Sequence, residues 1–380
     1  MIGVALGTTA LVVALSVFNG LQDLVRSVYN SFDPELKISA AAGKSFIMTE
    51  EILQTIQDNE AVKAYSEVIE DNALIMYRDQ QVVARIKGVS NSYLELNRLD
   101  TFLLRGEARL QEGELNYAIL GSGVAYELAL MLDSDYYGMQ LVYPKKLRPG
   151  VPVTRNSIRK KSIVPAGIFG IEQEYNESYV FVPLEFARDL MDYGDRRTAI
   201  EVFLHDKDDI PSVKESLAEA LGPDFDVLDS DEQHSGLLKA IKIEKLFVFI
   251  TLSFITAIAA FNVFFTLSML AIEKKKDVSV LYAMGATDSV IRKVFLKQGA
   301  IITFTGCITG LVLGLSLALV QQEYGFIGMG MQTAIVQAYP VKIQPLDFLL
   351  VGASISLIAL LTSYRPAIIA SRVDITRHLG

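Results

Sequence analysis

Four stretches of the chain carry no charged side chain: residues 1–22, 246–272, 298–322 and 348–364. A helix of about 20 apolar residues crosses a hydrocarbon core of about 30 Å. The second and third runs meet that length directly. The fourth reaches it by starting at Leu346, with local thinning of the bilayer taking up the rest. The first run has a rival reading as a secretory signal, which would show a basic leader and a small-x-small cleavage site. No Lys or Arg precedes Asp23, and the run ends Ser16-Val17-Phe18-Asn19-Gly20, so it is read as a span. The pattern predicts spans at 1–22, 246–272, 298–322 and 346–364. Between them lie a large insert at 23–245, connections at 273–297 and 323–345, and a tail at 365–380.

Inside the insert the period shortens. Leu36 to Ala40 alternates as a strand does, and 62–77 with 81–89 reads as a hairpin turning at Asp79-Gln80. Further strands are expected at Tyr117–Leu120, Ser162–Phe169 and Tyr179–Val182, with Ser122 capping the helix that follows the first of these. Pro211 opens a helix over 211–221 that Gly222-Pro223 closes. Strands and helices without a regular repeat make an α+β domain. In the third span Gly306, Gly310 and Gly314 recur at a spacing of four, with Ala318 next in register. Small residues on one helical face let backbones approach closely in lipid, so this is the expected packing face. Gly3 and Gly7 repeat the spacing more weakly in the first span.

Composition agrees with a mixed membrane and soluble architecture: 51% of the 380 residues are apolar and 21% charged. The net charge of −9 is uneven, −13 over residues 1–272 but +3 over 273–297 and +2 over 365–380. The short connection holds Lys274, Lys275, Lys276, Arg292, Lys293 and Lys297, and the tail Arg365, Arg372 and Arg377, whereas 323–345 holds only Lys342. Excess Lys and Arg in short loops marks the cytoplasmic side. The amino terminus, 273–297 and the tail are therefore placed inside, and 23–245 and 323–345 outside.

An acidic insert does not suit nucleic acid. The single Cys307 excludes a disulfide within the chain, and His205, His234 and His378 share no metal-ligand spacing, so no metal site is expected. Gly121-Ser122-Gly123 lacks the G-x-S-x-G spacing of a nucleophile turn, and no catalytic residue is assigned. No phosphate-binding glycine loop occurs, so work against a gradient needs energy from a partner. From Tyr136 to Ile171 no acidic residue occurs, while Lys145, Lys146, Arg148, Arg155, Arg159, Lys160 and Lys161 fall among Pro144, Pro149 and Pro152. The prolines disfavour helix and central strand. A protruding basic loop of this kind steers an acidic partner, or is simply solvated.

Within 273–297, Val278, Leu281 and Tyr282 fall at helical spacing, Gly285 suits a helix stop and Thr287 a cap for the next helix. Such a short amphipathic helix lies on lipid or fits a cleft in a soluble partner. The run Ile243-Glu244-Lys245, Ala259-Ala260-Phe261-Asn262, Glu273-Lys274-Lys275-Lys276-Asp277-Val278, Leu281 and Met284-Gly285-Ala286-Thr287 resembles the second span and coupling helix of FtsX/MacB-type ABC permeases. Its nearest likeness is to the lipoprotein-releasing permeases LolC and LolE. Ile2 to Gly7 and Leu15 to Gly20 resemble their first span, Tyr339-Pro340-Val341 with Pro345-Leu346-Asp347 the approach to their fourth, and Pro366-Ala367 with Ala370-Ser371-Arg372 their tail. The family usually carries an amphipathic helix ahead of its first span, and this sequence starts at Met1 within that span.

The resemblance implies an integral membrane α-helical protein with four transmembrane helices and a large periplasmic α+β domain between helices 1 and 2, in the bacterial inner membrane. Two permease subunits, alike or as a LolC/LolE-like pair, would join two copies of a LolD-like ABC ATPase. That partner would bind ATP and Mg, and this chain no cofactor. Glu273, Lys274, Lys275, Lys276, Asp277, Val278, Leu281, Met284 and Gly285 would engage the ATPase. Acylated lipoproteins would enter from the outer leaflet and pass to a LolA-like periplasmic carrier. Phe18 stands where the family's first span faces lipid, and Phe254, Ile258 and Phe261 follow at helical spacing as further cavity wall, or as ordinary packing. The basic excursion falls where LolC carries its carrier-recruiting hook, which would give Pro144, Lys145, Lys146, Arg148, Pro149 and Pro152 that role. The alternative is a MacB/FtsX-type mechanotransmission permease for efflux or cell-envelope regulation, without carrier docking.

Overall fold

A computed structural model describes residues 1–90, 93–94, 99–132, 138–144, 158–328 and 338–371. The chain divides into two compact units, residues 26–235 and residues 1–25 with 236–380.

The second of these is a bundle of long helices. Helix α1 (Ile2–Phe32) begins the chain; its later neighbours are described below under their own ranges. Residues 26–235 form an eleven-stranded mixed sheet among the described residues. Its elements, in chain order, are β1 (Leu36–Ala40), β2 (Phe46–Ile47), α2 (Glu50–Gln57), β3 (Val62–Tyr77), β4 (Gln80–Val89), β5 (Leu103–Gly106), β6 (Gln111–Glu112) and β7 (Leu115–Gly121). There follow α3 (Ser122–Glu127), β8 (Met139–Pro144), β9 (Ile158–Phe169), α4 (Gln173–Ser178), β10 (Tyr179–Pro183), α5 (Leu184–Met191), β11 (Arg196–Arg197), β12 (Ala199–Leu204), α6 (Ile210–Leu221), β13 (Phe225–Asp229) and α7 (Ser230–Gln233). The main path through the sheet is β13-β1-β12-β3-β4-β10-β7-β9-β5, with β8 bridging β3 and β9.

Alternating apolar residues build two cores on this sheet. Ile69, Ile75, Ile86, Leu120 and Val180 pack with Val124 of α3 and Phe186 and Leu190 of α5. Leu36, Ile38, Ile200 and Val202 pack with Ile52 and Ile56 of α2 and Val213 and Leu217 of α6. A buried ion pair joins two strands: Lys87 of β4 lies 2.7 Å from Glu201 of β12, both almost wholly removed from solvent. The Lys87 ammonium also sits over the rings of Tyr93 and Phe181, at 5.3 and 5.6 Å from their centroids.

The hairpin turns one residue earlier than expected. Tyr77 pairs with Gln80, which leaves Arg78-Asp79 as the turn, with Arg78 at φ +50°. Ser122 is not the cap: Gly121 holds that position and Ser122 is the first helical residue. The flanking glycines are explained by close approach, since a Cβ on Gly121 would come 2.3 Å from the Asn176 carbonyl oxygen and one on Gly123 2.9 Å from Glu177 Cγ. Pro211 stands in the first turn of α6, and Gly222 ends that helix at φ +76°.

The bundle continues with α8 (Ser235–Glu273), α9 (Lys275–Ala283), α10 (Asp288–Tyr324) and α11 (Pro345–Ser371). Among the described residues four helices, α1, α8, α10 and α11, are long and apolar enough to cross a membrane. Val4, Leu11, Val12 and Leu15 pack with Ala260, Val263 and Leu267 of α8, Cys307 of α10, and Val351 and Ile355 of α11. Gly306 seats Val4 of α1, Gly310 seats Ala5 and Thr8, and Gly314 seats Val12. A Cβ on Gly310 would fall 2.5 Å from both Ala5 O and Thr8 Cβ, so the helices meet backbone to backbone there. On another face of α1, Gly3 and Gly7 receive Ala259 and Thr256 of α8.

Candidate functional site

The segment after α8 is shaped by its two ends. The helix breaks at Lys274, whose φ and ψ of −85° and 12° leave the helical range, and resumes as α9. It stops at a glycine: the Gly285 N–H donates to the Tyr282 carbonyl (2.9 Å) and the Ala286 N–H to the Leu281 carbonyl (3.0 Å), with Gly285 at φ +95°. This pair of bonds closes a helix around a left-handed residue, a conformation open to glycine without steric cost. Thr287 takes the cap position of α10 through its backbone, with no hydroxyl bond to the helix.

Helix α9 has two faces. Val278 and Ser279 are buried, and Val278 packs with Ala271 of α8, Ile291 and Phe295 of α10 and Ala367 of α11. Leu281 and Met284 point outward, 42% and 78% exposed, beside exposed Val280 and Lys276. Glu273 is exposed at the end of α8, Lys275 is half-buried, and Lys274 pairs with Asp277 at 2.9 Å on the surface. Nearby Tyr282 donates to Asp288 at 3.1 Å. The exposed face is thus apolar at its centre and cationic at its start.

Phe254, Ile258 and Phe261 form part of an exposed stripe along α8 that also includes Phe247, Ile250 and Phe265. Phe18 is half-buried on α1, unlike these three. The stripe offers a continuous apolar surface to lipid, acyl chains or another helix.

Of the basic excursion, Pro144 is the exposed last residue of β8; Lys145, Lys146, Arg148, Pro149 and Pro152 lie outside the described residues. Its base is narrower than the sequence suggested. Pairing of Pro144 with Ile158 carries the strand back past Ser162, so Arg159, Lys160 and Lys161 are strand residues. Two of their charges are matched from α5 and the turn after it: Lys161 lies 2.8 Å from Asp189, and Arg159 2.7 Å from Asp192. The hydrogen bond from Lys161 holds the Asp189 carboxyl below its ordinary range.

One constellation escaped sequence reading. The Lys245 ammonium of α8 donates to Asn19 Oδ1 of α1 (2.7 Å) and sits 3.1 Å from both carboxylate oxygens of Asp347 in α11. Asn19 Nδ2 donates to Asp347 Oδ2 (2.6 Å) and to the Lys342 carbonyl (3.3 Å). Asn19 and Asp347 are buried. All three residues stand in the motif stretches that carry the family resemblance, each at the corresponding end of an apolar run, but they are 226, 102 and 328 positions apart and nothing in local periodicity pairs them.

Apolar helices, an α+β unit placed in sequence between the first two, and a short exposed helix between the second and third are the pattern of a multi-pass membrane protein. The MacB-like periplasmic core domain matches residues 1–220 and the FtsX-like permease C-terminal matches residues 249–375, so the chain belongs to the FtsX/MacB-type family of ABC transporter permeases. It is similar to the lipoprotein-releasing system transmembrane protein LolE of Haemophilus influenzae, at 24% identity over 98% of this chain and 91% of that one. It is also similar to LolC of Xylella fastidiosa strain Temecula1, at 28% identity over 83% of this chain and 75% of the relative. The family resemblance carried by short collinear motifs is therefore borne out over most of the chain. The solved periplasmic region of MacB from Actinobacillus actinomycetemcomitans aligns at 13% identity over 55% of this chain and 94% of that one, with a TM-score of 0.38.

Proposed function

We propose that this chain is a permease subunit of an ATP-driven transporter that takes acylated lipoproteins from the outer leaflet of the inner membrane and passes them to a periplasmic carrier. The observation that carries this reading is the likeness to LolE over 98% of the chain, membrane helices and inserted domain together. The excess of Lys and Arg in 273–297 supports a topology with α9 and the tail from 365 in the cytoplasm and 23–245 and 323–345 in the periplasm. A separate ABC ATPase binds ATP and Mg and presses on the exposed Leu281–Met284 face of α9. A second permease subunit completes the pathway, and acyl chains slide along apolar walls that include Phe254, Ile258 and Phe261. No step of this requires a catalytic group in the chain.

The MacB-like match over 1–220 keeps a second reading open, in which the same machine transmits force for efflux or envelope regulation. Purification from native membranes in mild detergent separates the two. The release reading expects an ABC ATPase and triacylated lipoprotein to copurify, with lipoprotein discharged on adding ATP and a carrier. An ATPase without lipoprotein, and no discharge, would overturn it in favour of mechanotransmission.

A further inference from the structure

We propose that Asn19, Lys245 and Asp347 form an electrostatic pin that fixes the start of the apolar run of α8 to α1 and α11, and that transport depends on this pin. Each of three membrane helices supplies one residue, and α10 supplies none. The Asn19 amide uses both ends, accepting from Lys245 and donating to Asp347, so each member holds the other two. The Asp347 side chain is 9% exposed and that of Lys245 22%. At such burial an ion pair is strong while intact, and a lone member is heavily penalised, so the contact behaves as made or broken.

A second feature reinforces the same end of α1. The chain entering α11 runs beside α1: the Lys342 N–H donates to the Ser16 carbonyl (3.0 Å), and the Lys342 ammonium pairs with Asp23. Gly20 makes room for it, since a Cβ there would fall 2.3 Å from the Pro340 carbonyl oxygen. The strap ties α1 to the start of α11 through backbone and charge; α8 joins them at the pin through Lys245.

The mechanical consequence follows from where α9 sits. It is attached to the far end of α8, after Glu273. A push on α9 can slide α8 along its axis or tilt it. A helix held at the opposite end of its apolar run tilts, which changes the spacing of the bundle along its length. An unpinned helix slides and the push is spent without opening the bundle. Apolar packing would hold the same ends together, but apolar contacts have no fixed direction and yield gradually.

This inference rests on the permease reading, and its test is arranged so that the two fail separately. Lys245→Met, Asp347→Leu, the exchange Lys245→Asp with Asp347→Lys, and the all-apolar Asn19→Leu/Lys245→Met/Asp347→Leu variant are purified with the partner ATPase and placed in nanodiscs. Each single variant should lose roughly tenfold in cargo release per ATP hydrolysed, within the usual range of coupling between sites. The exchange should recover part of it, because the Asn19 amide can turn to serve the reversed pair while giving up its bond to the Lys342 carbonyl. The all-apolar variant should melt no lower than the parent yet remain uncoupled, which a purely structural role would not produce. Normal release per ATP in the single or all-apolar variants, or an exchange no better than either single, overturns the pin. Melting of the two singles and of the double Lys245→Met/Asp347→Leu needs no cargo. Strongly non-additive melting supports the ion pair even if the parent proves to release no lipoprotein, whereas additive melting sinks it whatever the cargo.

Discussion

At the scale of single residues, the soluble unit stakes most on Lys87. Burial works against its charge, yet the Glu201 carboxylate beside it, with Tyr93 and Glu70, holds the ammonium well above the ordinary lysine range. A raised folded value means the pair contributes fully below the unfolded lysine value of about 10.4 and is lost as pH rises through the folded one. At neutral pH it is therefore intact. Lys87→Met leaves Glu201 charged and unpaired in the interior, a loss of roughly 3–5 kcal/mol. For a unit of this size that lowers the melting temperature by on the order of 10 °C. The double variant Lys87→Met/Glu201→Leu should recover most of the loss, because apolar replacement of a whole buried pair is often neutral. Thermal melting of the intact chain in detergent checks both. A double variant as unstable as the single would mean that the strands need the charge itself. Neither residue stood out in the sequence, since a lysine in a strand looks like a solvent-facing position until its cross-sheet partners are known.

At the scale of elements, what could be read depended on how local the determinant was. Strand β1 follows from alternation, β3 from its hairpin, and α6 from Pro211 and Gly222, all signals within a few residues. The start of β9 was missed because pairing with β8, across the whole basic excursion, extends it to Ile158. The cap at Ser122 was misread because the backbone of Asn176, far along the chain, dictates the glycine before it. Helix α9 was legible for the same reason as α6: its stop is a local glycine. That stop yields a prediction. Proline fixes φ near −65°, and Gly285 sits at +95°. Gly285→Pro must therefore rebuild the turn into α10 and shift the exposed Leu281–Met284 face. A strain of about 1–3 kcal/mol is worth roughly tenfold or more if it falls on the coupling step. Lipoprotein release per ATP hydrolysed should drop by that factor, with the ATPase still bound. Unaltered release would remove α9 from the coupling path.

At the scale of the whole molecule, the proposed function requires two separate protein-binding regions with different physics. The face at α9 is apolar with a cationic edge, suited to a stable subunit contact that persists through many cycles. The excursion between β8 and β9 is charged, suited to a carrier that must arrive, load and leave. Its base is partly neutralised, because Asp189 and Asp192 answer Lys161 and Arg159. Of the seven basic residues, that leaves Lys145, Lys146, Arg148, Arg155 and Lys160, three of which lie together in sequence just after β8. Replacing the first three by Glu should slow carrier capture about tenfold or more near physiological salt, and the deficit should shrink as the Debye length falls to about 3 Å at 1 M. Site-specific crosslinking to the carrier across a salt series measures this, with retention of the ATPase in the same preparation as the internal control. If crosslinking is unchanged at low salt, the excursion is a solvated loop and the carrier docks elsewhere. If the ATPase is lost as well, the two regions are not independent. Loss of carrier capture alone is the outcome expected of a subunit that receives force through one region and hands over cargo through another.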